Sequence, residues 1–321
     1  MSVTDEVLEI LARDPQKTLS GEMIAQQLQI SRNAVWKAVN TLKKQGFHIT
    51  ASTNSGYCFC DDVVTRRGMQ ACLPDLEVRI LNSVSSTNSY LKAEAETNRE
   101  GLVIVARRQT GGRGRMGRSF SSPPNTGLYM SLFLRPAMQA EEAVRITTMA
   151  AVAVCRAIEA FTEQKAEIKW VNDVFLAGKK VCGILTEASV NVENGRIEYA
   201  ILGIGVNLYE PEGGFAAEIK GVAGAVFGEK TGHYADRFAC EILRQFFSFY
   251  HGQPYIEEYR ARSLLTGREI VYSMQGEERR ATVVGVDDNG GLIVRNTVGE
   301  LSVLCSGEVS VRYDKDEIKN G

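Results

Sequence analysis

The part of the sequence with the clearest chemical potential is a segment rich in glycine and arginine. Five arginines and four glycines fall within the twelve residues 107–118. Glycine lets the backbone approach a ligand closely, and arginine brings permanent positive charge with paired donors for carboxylate or phosphate. The segment therefore suits a reaction between a carboxylic acid and a nucleoside triphosphate, two anions that repel each other. Plainer interpretations are a solvated basic loop or a nucleic-acid-binding arginine–glycine segment.

Part of this segment, Gly112-x-Gly114-x-x-Gly117, literally matches the dinucleotide-binding fingerprint. That fingerprint requires a helix directly after the loop and an acidic residue about 20 residues further on. Here residues 119–124 read Ser-Phe-Ser-Ser-Pro-Pro, which is not a helical sequence. We therefore reject the dinucleotide fold. We expect instead that the loop becomes ordered over its ligand and excludes water from a labile mixed anhydride.

Two lysine-containing segments further along can supply the rest of the chemistry. Lys180 leads into an apolar strand, where its ammonium can stabilise charge on an α-phosphate and an acid oxygen during attack. Asp173 can hold a metal ion, or orient an incoming amine and accept its proton. Each also has an ordinary interpretation, as a turn lysine and a turn-capping carboxylate. The small residues of 203–207 would leave room for a ligand beside a strand, or simply allow close strand packing.

The first 60 residues predict a DNA-reading unit of three helices and a hairpin with a turn at Asn54-Ser55-Gly56. The third helix would begin at a Ser31 cap and present side chains suited to base edges and phosphates: Arg32, Asn33, Trp36, Lys37, Asn40 and Thr41. From Met23 to Cys60 there is no Asp or Glu, while four basic residues lie there. This favours DNA binding, with a helical cap or dimerisation module as the alternative.

The remaining chain must supply the elements that position these residues. Residues from about 63 to 264 alternate predicted strands (102–106, 128–134, 167–170, 181–189 and 197–208) and helices (141–161 and 234–250), which indicates a mixed sheet covered by helices. Short strands from about 266 to 313 indicate a small β-barrel. We therefore predict an α/β multidomain chain divided into residues 1–62, 63–264 and 265–321, with a linker around Asp61-Asp62.

Composition excludes several classes of protein. The 321 residues have a net charge of −2, so any nucleic-acid contact should be regional. Seven scattered cysteines without a Cys-x-x-Cys pair, together with three histidines, argue against a disulfide framework and a zinc site. The sequence shows no signal-peptide pattern and no apolar run of 18 residues. We therefore expect a cytoplasmic protein with no membrane partner.

Six features, in this order along the chain, together resemble the bifunctional biotin–protein ligases that double as biotin operon repressors. They are the helix-turn-helix of residues 20–46, Ser85-Ser86-Thr87-Asn88, Gly112-Arg113-Gly114-Arg115, Lys169-Trp170-Val171-Asn172-Asp173, Lys180–Leu185 and Gly203–Asn207. They cover nearly the whole chain, and their order is far more specific than any one feature. The resemblance implies a winged helix-turn-helix, a central mixed α/β ligase domain related to class II aminoacyl-tRNA synthetases, and an SH3-like C-terminal β-barrel.

The resemblance also implies an activity. Biotin and MgATP would form biotinyl-5′-AMP, and a lysine of a biotin carboxyl carrier domain would then take the biotin and release AMP. Biotinyl-5′-AMP would act as corepressor by promoting a homodimer and binding of operator DNA, with two recognition helices on a palindromic site.

Residue by residue, the resemblance assigns the following roles. Contacts to biotin or biotinyl-5′-AMP are expected from Ser86, Thr87, Asn88, Gln109, Gly112, Arg113, Gly114, Arg115, Lys180, Gly183 and Gly205. ATP contacts are expected from Arg118, Phe120, Asn172 and Asn207, with Phe120 folding over adenine. The catalytic residues would be Lys180, Arg115 and Asp173, whereas the Mg²⁺ ligands stay open. Three departures from the family are Val171 for proline, Met116 for an arginine of some members, and Phe120 for tryptophan.

Three other functions remain to be weighed against this one. A lipoate–protein ligase would use the same chemistry, but Gly112–Arg115 and Lys169–Asp173 favour biotin. A pure ligand-sensing repressor would not need Lys180 and the arginines. A monofunctional ligase with an inert N-terminal unit is disfavoured by the acid-free basic face.

Overall fold

The computed structural model describes residues 2–52, 55–228, 234–274, 277–305 and 309–311. The N-terminal unit contains the helices α1 (Val3–Leu11), α2 (Gly21–Leu28) and α3 (Arg32–Lys44) and the strands β1 (Thr18–Leu19), β2 (Ile49–Ser52) and β3 (Gly56–Phe59). The strands form a three-stranded sheet in the order β1-β3-β2. This arrangement confirms the predicted helix-turn-helix with a hairpin beside it, although Asn54 of the predicted turn lies outside the described residues.

The serine caps that the sequence predicts are present in this unit. Ser20 Oγ accepts a hydrogen bond from Met23 N at 3.0 Å, and Ser31 Oγ accepts one from Ala34 N at 3.1 Å. Such caps satisfy backbone donors that have no partner within the helix. The apolar side of α3 is buried, with Val35 and Leu42 at most 1% exposed. The opposite side of α3 therefore faces outward.

The central unit is built on a seven-stranded sheet in the order β4-β5-β6-β10-β9-β8-β7. Its strands are β4 (Val78–Leu81), β5 (Val103–Ala106), β6 (Gly127–Leu134), β7 (Ala166–Lys169), β8 (Asp173–Leu176), β9 (Lys179–Val190) and β10 (Ile197–Asn207). The pair β4–β5 is parallel, and the other neighbouring pairs are antiparallel. The predicted mixed sheet is therefore confirmed, with β4 and β8 as strands that the sequence patterns did not predict.

Helices cover both faces of this sheet. They are α4 (Arg66–Cys72), α5 (Thr87–Ala93), α6 (Ala143–Thr162), α7 (Ala235–Tyr250) and α8 (Ile256–Ala261). Helix α6 is buried along most of its length and lies on one face, next to α7. Helix α5 packs on the opposite face, where Leu91 joins a small core with Ile104 and Phe133.

A five-stranded antiparallel sheet completes the fold, in the order β14-β13-β12-β11-β15. Its strands are β11 (Glu269–Met274), β12 (Glu277–Val286), β13 (Leu292–Asn296), β14 (Leu301–Leu304) and β15 (Val309–Val311). It is joined to the central unit by a hydrogen bond from Trp170 Nε1 to the carbonyl oxygen of Gly290 at 2.9 Å. None of the helices in the described ranges is long and apolar enough to cross a membrane.

At the predicted linker around Asp61-Asp62, both carboxylates are buried and hydrogen-bonded. Asp61 accepts hydrogen bonds from His48 N at 2.7 Å and from the His48 ring at 2.9 Å. Asp62 accepts bonds from the Tyr209 hydroxyl at 2.6 Å and from the amides of Tyr234 and Ala235 at the start of α7. The pair therefore joins the N-terminal unit firmly to the central one.

Candidate active site

The glycine–arginine segment folds into a narrow hairpin over residues 112–120. Phe120 N donates to the carbonyl oxygen of Gly112 at 2.9 Å, and Gly114 N donates to that of Arg118 at 2.7 Å. A Cβ on Gly112 would lie 2.3 Å from the Phe120 carbonyl oxygen, so the two arms come this close only with glycine there. Gly112 therefore shapes the hairpin. The arms bring Arg113, Arg115 and Arg118 to the edge of the central sheet.

One arm of the hairpin borders an inner cavity between α5 and the sheet. Its walls are formed by Ser86, Thr87, Asn88, Gln109, Arg113, Phe120, Tyr129, Met130, Gly183, Leu185, Gly203, Ile204 and Gly205. Eight of these thirteen residues were predicted as site residues. The structure therefore brings the α5 residues, the hairpin and the two glycine-containing strands together at one place.

Hydrogen bonds organise the polar wall of the inner cavity. Gln109 Oε1 accepts from Thr87 N at 2.9 Å, and Gln109 Nε2 donates to Ser122 Oγ at 2.9 Å. Ser131 Oγ lies 2.6 Å from both Thr87 Oγ1 and Asn88 Oδ1. Because these groups are largely buried, each must be matched with a partner. The wall is a preformed polar network.

A charged cleft continues from the inner cavity along the outer side of the hairpin. Its walls are formed by Arg113, Gly114, Arg115, Met116, Arg118, Ser119, Phe120, Lys169, Trp170, Asn172, Asp173, Lys180, Gly183, Ile184 and Leu185. Five of these side chains are cationic, and among the described residues Asp173 is the carboxylate that lines the cleft. Such an excess of positive charge favours an anionic ligand.

Lys180 and Asp173 face each other inside the charged cleft. Lys180 Nζ lies 2.7 Å from Asp173 Oδ1, and both side chains are partly exposed. Arg115 Nη1 donates to Asn172 Oδ1 at 3.4 Å, which places a second cation beside this pair. Asn172 Nδ2 in turn donates to the Ile184 carbonyl oxygen at 3.0 Å. The predicted catalytic residues are therefore neighbours.

A third, outer cavity lies beyond Phe120 and is mainly apolar. Its walls are formed by Ser119, Phe120, Ser121, Pro123, Thr126, Lys180, Cys182, Asn207, Tyr209, Pro211, Phe215, Ile219, Val222 and Ala223. Asn207 reaches it from the end of β10, where its Nδ2 donates to the Gly224 carbonyl oxygen at 3.0 Å. An apolar cavity with a few polar groups suits a planar ring such as a nucleobase.

Phe120 lines all three cavities, and its ring lies directly against the sheet. A Cβ on Gly205 would lie 2.6 Å from this ring, and a Cβ on Gly183 would lie 3.2 Å from it. The ring also meets Tyr129 edge to face, with centroids 6.4 Å apart. The two glycines were predicted to make room for a ligand, whereas here they make room for Phe120. The ring thus stands between the inner and outer cavities.

Sequence reasoning did not single out Tyr129, and it gave Gly203 only as one of the small residues of 203–207. Gly203 is required because a Cβ there would lie 2.3 Å from Asn88 Oδ1. Tyr129 donates to the Pro123 carbonyl oxygen at 2.9 Å, and burial raises its pKa to about 12, so it remains protonated at neutral pH. Strand alternation could have found Tyr129, because it lies on the same face of β6 as Ser131.

The predicted DNA-contacting residues lie at the surface of α3. Arg32, Asn33 and Lys37 are exposed, Trp36 is 55% exposed, and Asn40 is half-buried. Exposure of a tryptophan on the same face as basic and amide side chains fits a surface that contacts a partner. The distribution agrees with the prediction that this face reads DNA.

The sequence matches two known families. The Biotin/lipoate A/B protein ligase family matches residues 80–207, which contain the inner cavity and the charged cleft. An HTH domain matches residues 4–58. The solved structure of the biotin protein ligase from Aquifex aeolicus in complex with biotin and ATP is 28% identical, with a TM-score of 0.61 over 74% of this chain and 99% of that one.

Two curated relatives are named both as a ligase and as a repressor. The bifunctional ligase/repressor BirA of Bacillus subtilis is 30% identical over 92% of this chain and 94% of that protein. The bifunctional ligase/repressor BirA of Bacillus spizizenii is 34% identical over 72% of this chain and 73% of that protein. The chain therefore belongs to the family of bifunctional biotin–protein ligases and repressors.

Proposed function

We propose that the chain forms biotinyl-5′-AMP from biotin and ATP, transfers biotin to a lysine of a biotin carboxyl carrier domain, and represses biotin genes with biotinyl-5′-AMP as corepressor. The observation that supports this most strongly is the continuity of three cavities around the hairpin of residues 112–120. A polar inner cavity, a cationic cleft and an apolar outer cavity meet at Phe120. They match an acid, a triphosphate and an adenine in that order.

The inner cavity would hold the ring of biotin, and the charged cleft would hold the reacting carboxylate of the same molecule. Ser86, Thr87, Asn88 and Gln109 offer fixed donors and acceptors for a polar ring, while Gly183 and Gly205 allow a ligand to lie close to the sheet once Phe120 moves. Arg115 and Lys180 would hold the carboxylate and the α-phosphate together. Their charge stabilises the crowded, anionic transition state of adenylate formation.

The nucleotide would extend from the charged cleft into the outer cavity. Phe120 would then cover the adenine, with Arg118, Asn172 and Asn207 as further contacts. The Phe120 ring is at the junction of the three cavities, from which it can reach a base in the outer one. Rotation of the ring would open the passage along which acid and α-phosphate meet.

Mg²⁺ would enter with ATP. Among the described residues no group of three or more His, Cys, Asp or Glu side chains is placed to hold a metal ion. Mg²⁺ keeps most of its water and binds phosphate oxygens with one or two carboxylates, so Asp173 and Asn172 fit such an ion. When bound, it neutralises charge on the phosphates.

Asp173 would serve the second step, in which the acceptor lysine attacks the adenylate. Its carboxylate, 2.7 Å from Lys180 Nζ, can orient the incoming amine and accept its proton. The amine must be neutral to attack, and a carboxylate beside the anhydride favours its deprotonation at the moment of bond formation. AMP then leaves with the electron pair of the broken bond.

Direct contacts support coupling between the DNA-reading unit and this site. Arg107 and Asn125, which flank the hairpin of residues 112–120 along the chain, contact the turn after α3. The Arg107 guanidinium lies 5.2 Å from the Phe47 ring centroid, and burial lowers its pKa to about 10. Asn125 Nδ2 donates to the Gly46 carbonyl oxygen at 3.3 Å. A change in the hairpin on ligand binding would thus be transmitted to the recognition helix.

The finer parts of the proposal follow from family membership. The adenylate-bound protein would be a homodimer, and it would work in the cytoplasm. The central domain would be related to class II aminoacyl-tRNA synthetases, and the C-terminal sheet would be an SH3-like barrel. Domain boundaries near residues 62 and 264 agree with the separate sheets described above.

Transfer of labelled biotin to a carrier domain tests the enzymatic proposal. The purified chain, MgATP and biotin should label a wild-type acceptor domain and release AMP, whereas an acceptor whose target lysine is arginine should stay unlabelled. Labelling with lipoate instead would keep the mechanism and reassign the substrate. Absence of labelling with either acid, from folded protein, would contradict the proposal.

A further inference from the structure

Glu187 is a carboxylate on β9 that contacts two residues of the inner cavity wall, Asn88 and Arg113. It lies two residues beyond Leu185 on the face of the sheet that α5 covers. Its Oε2 accepts a hydrogen bond from Asn88 Nδ2 at 2.9 Å, and its Oε1 lies 3.4 Å from Arg113 Nη1. The side chain is about 21% exposed. It therefore contacts α5 and the hairpin at the same time.

The contact with Asn88 fixes the polarity of the cavity wall. An ionised carboxylate can only accept, so it requires the Nδ2 end of the Asn88 amide to face it. The same Nδ2 donates to the Leu185 carbonyl oxygen at 3.2 Å, which leaves Oδ1 pointing to Ser131. Oδ1 can only accept, so the Ser131 hydroxyl must donate its single proton there.

The contact with Arg113 holds the hairpin against the sheet. Arg113 lies on the first arm of the hairpin, and its Nη1 also donates to Ser89 Oγ at 3.4 Å. Together these contacts hold the arm against β9 and α5 at the mouth of the cavity. The pairing also neutralises Arg113 locally.

We infer that Glu187 is a positioning residue, which closes the hairpin over the inner cavity through Arg113 and orients the Asn88 amide that faces the bound acid. This inference rests on the proposed function for the identity of the acid, but the closure itself does not depend on it. Glu187 does not touch the reacting atoms, so its loss should affect binding more than the chemical step.

The first test measures the closure without any substrate. Trypsin cleaves after arginine, so cleavage within residues 112–120 of the ligand-free full-length protein reports opening of the hairpin. E187Q removes the charge but keeps the shape, and it should be cleaved about tenfold faster than the wild type, since a charge-assisted bond contributes about that factor. Glu198→Gln is the matched control, because Glu198 lies on the neighbouring strand and bonds to Ser189 Oγ instead.

The second test measures the effect of the same substitution on the binding of the acid. In biotin-dependent pyrophosphate release, E187Q should raise the KM for biotin about tenfold with kcat changed less than about threefold, a loss of binding rather than of chemistry. Glu187→Asp keeps the charge and should recover part of the affinity. Both variants must unfold at the same urea concentration as the wild type within error, which excludes general destabilisation.

The outcomes separate the two proposals. Unchanged tryptic cleavage in E187Q would overturn the closure, and a fall in kcat without a change in KM would overturn the positioning role. If the wild type released no pyrophosphate with biotin, the proposed function would fail, and the tryptic comparison would still decide whether Glu187 holds the hairpin.

Discussion

Lys180 Nζ lies 2.7 Å from Asp173 Oδ1, where β8 and β9 run side by side at the edge of the charged cleft. Asp173 pairs in register with Gly183, and Gly183 pairs with Gly205 on the next strand. Asp173 is thus in one row with two residues that have no side chain, and the Phe120 ring lies over those two glycines. Once the ring moved, the row would give a ligand a flat surface, with Asp173 as a proton acceptor and Lys180 as an anion-stabilising group beside it.

Replacing Asp173 by Asn should separate the two half-reactions. Asn keeps the size of the side chain but cannot accept a proton from the incoming amine, so transfer to the carrier domain should fall roughly 10²-fold. Formation of the adenylate should fall far less, because Lys180 and Arg115 remain and an amide oxygen at this position can still bind Mg²⁺. Single-turnover measurement of each step checks this. Equal losses in both steps would show that Asp173 serves adenylate formation instead.

Replacing Phe120 by Ala should weaken the binding of ATP and leave the binding of biotin unchanged. The ring lies over Gly183 and Gly205 at the junction of the cavities, and its stacking on adenine should be worth about 1 kcal/mol, or roughly fivefold in the KM for ATP. Phe120→Trp keeps a stacking ring and serves as the control. Steady-state kinetics at varied concentrations of ATP and of biotin measure the two KM values. A rise confined to the KM for biotin would assign the ring to the acid instead.

Replacing Asp236 by Asn should flatten the pH dependence of stability. Burial raises the pKa of Asp236 to about 6, although Thr65 N and Thr65 Oγ1 both donate to it. Between about pH 4 and pH 6 the folded state then holds a proton that the unfolded state has lost. The free energy of unfolding therefore decreases as the pH rises through this interval, by roughly 2–3 kcal/mol from this group.

Urea unfolding at pH 4.5 and pH 7 measures this difference. The exposed Asp75 provides a control, since Asp75→Asn should leave the wild-type profile unchanged. If the Asp236 variant kept the full wild-type dependence between these pH values, another group would be responsible for it.

Replacing Lys37 by Ala should weaken DNA binding without changing the enzyme. Lys37 is exposed on α3, far along the chain from the cleft residues, and a lost phosphate contact should lower the salt dependence of binding by about one unit of slope. The measurement is a titration of DNA from upstream of the biotin genes at several salt concentrations, with biotinyl-5′-AMP present. Lys17→Ala, beside β1 and paired with Asp14, is the control. Equal weakening in both variants would contradict a role for the α3 face.

Much of this fold could be predicted from local patterns. Alternation and helical spacing gave β9, β10, α6 and α7 within two or three residues, because these elements are long and strongly apolar. The short elements β4, β8 and α4 were not predicted, because each is only four to seven residues long and shows little periodicity, and because β4 and α4 also depend on long-range contacts. The N-terminus of α4, for example, is bonded by Glu9 of α1 through the amides of Arg66 and Arg67.

The candidate site shows the same division. Residue types made Asp173 and Lys180 candidates, each with an ordinary alternative, and the resemblance to biotin–protein ligases assigned these two residues and Arg115 as catalytic. They could not predict that Phe120 lies on Gly183 and Gly205, or that Glu187 pairs with Arg113, because both contacts join segments more than 60 residues apart. Only the register of the sheet brings those side chains together.

Pyrophosphate release from MgATP, measured with biotin, with lipoate and with neither acid, tests the central claim most directly. Release should require biotin, and Lys180→Ala should reduce it by about 10²–10³-fold. Lys179→Ala should leave it unchanged, because Lys179 Nζ donates to the Gly221 carbonyl oxygen outside the cleft. Release without either acid, or the same rate in Lys180→Ala as in the wild type, would contradict the account.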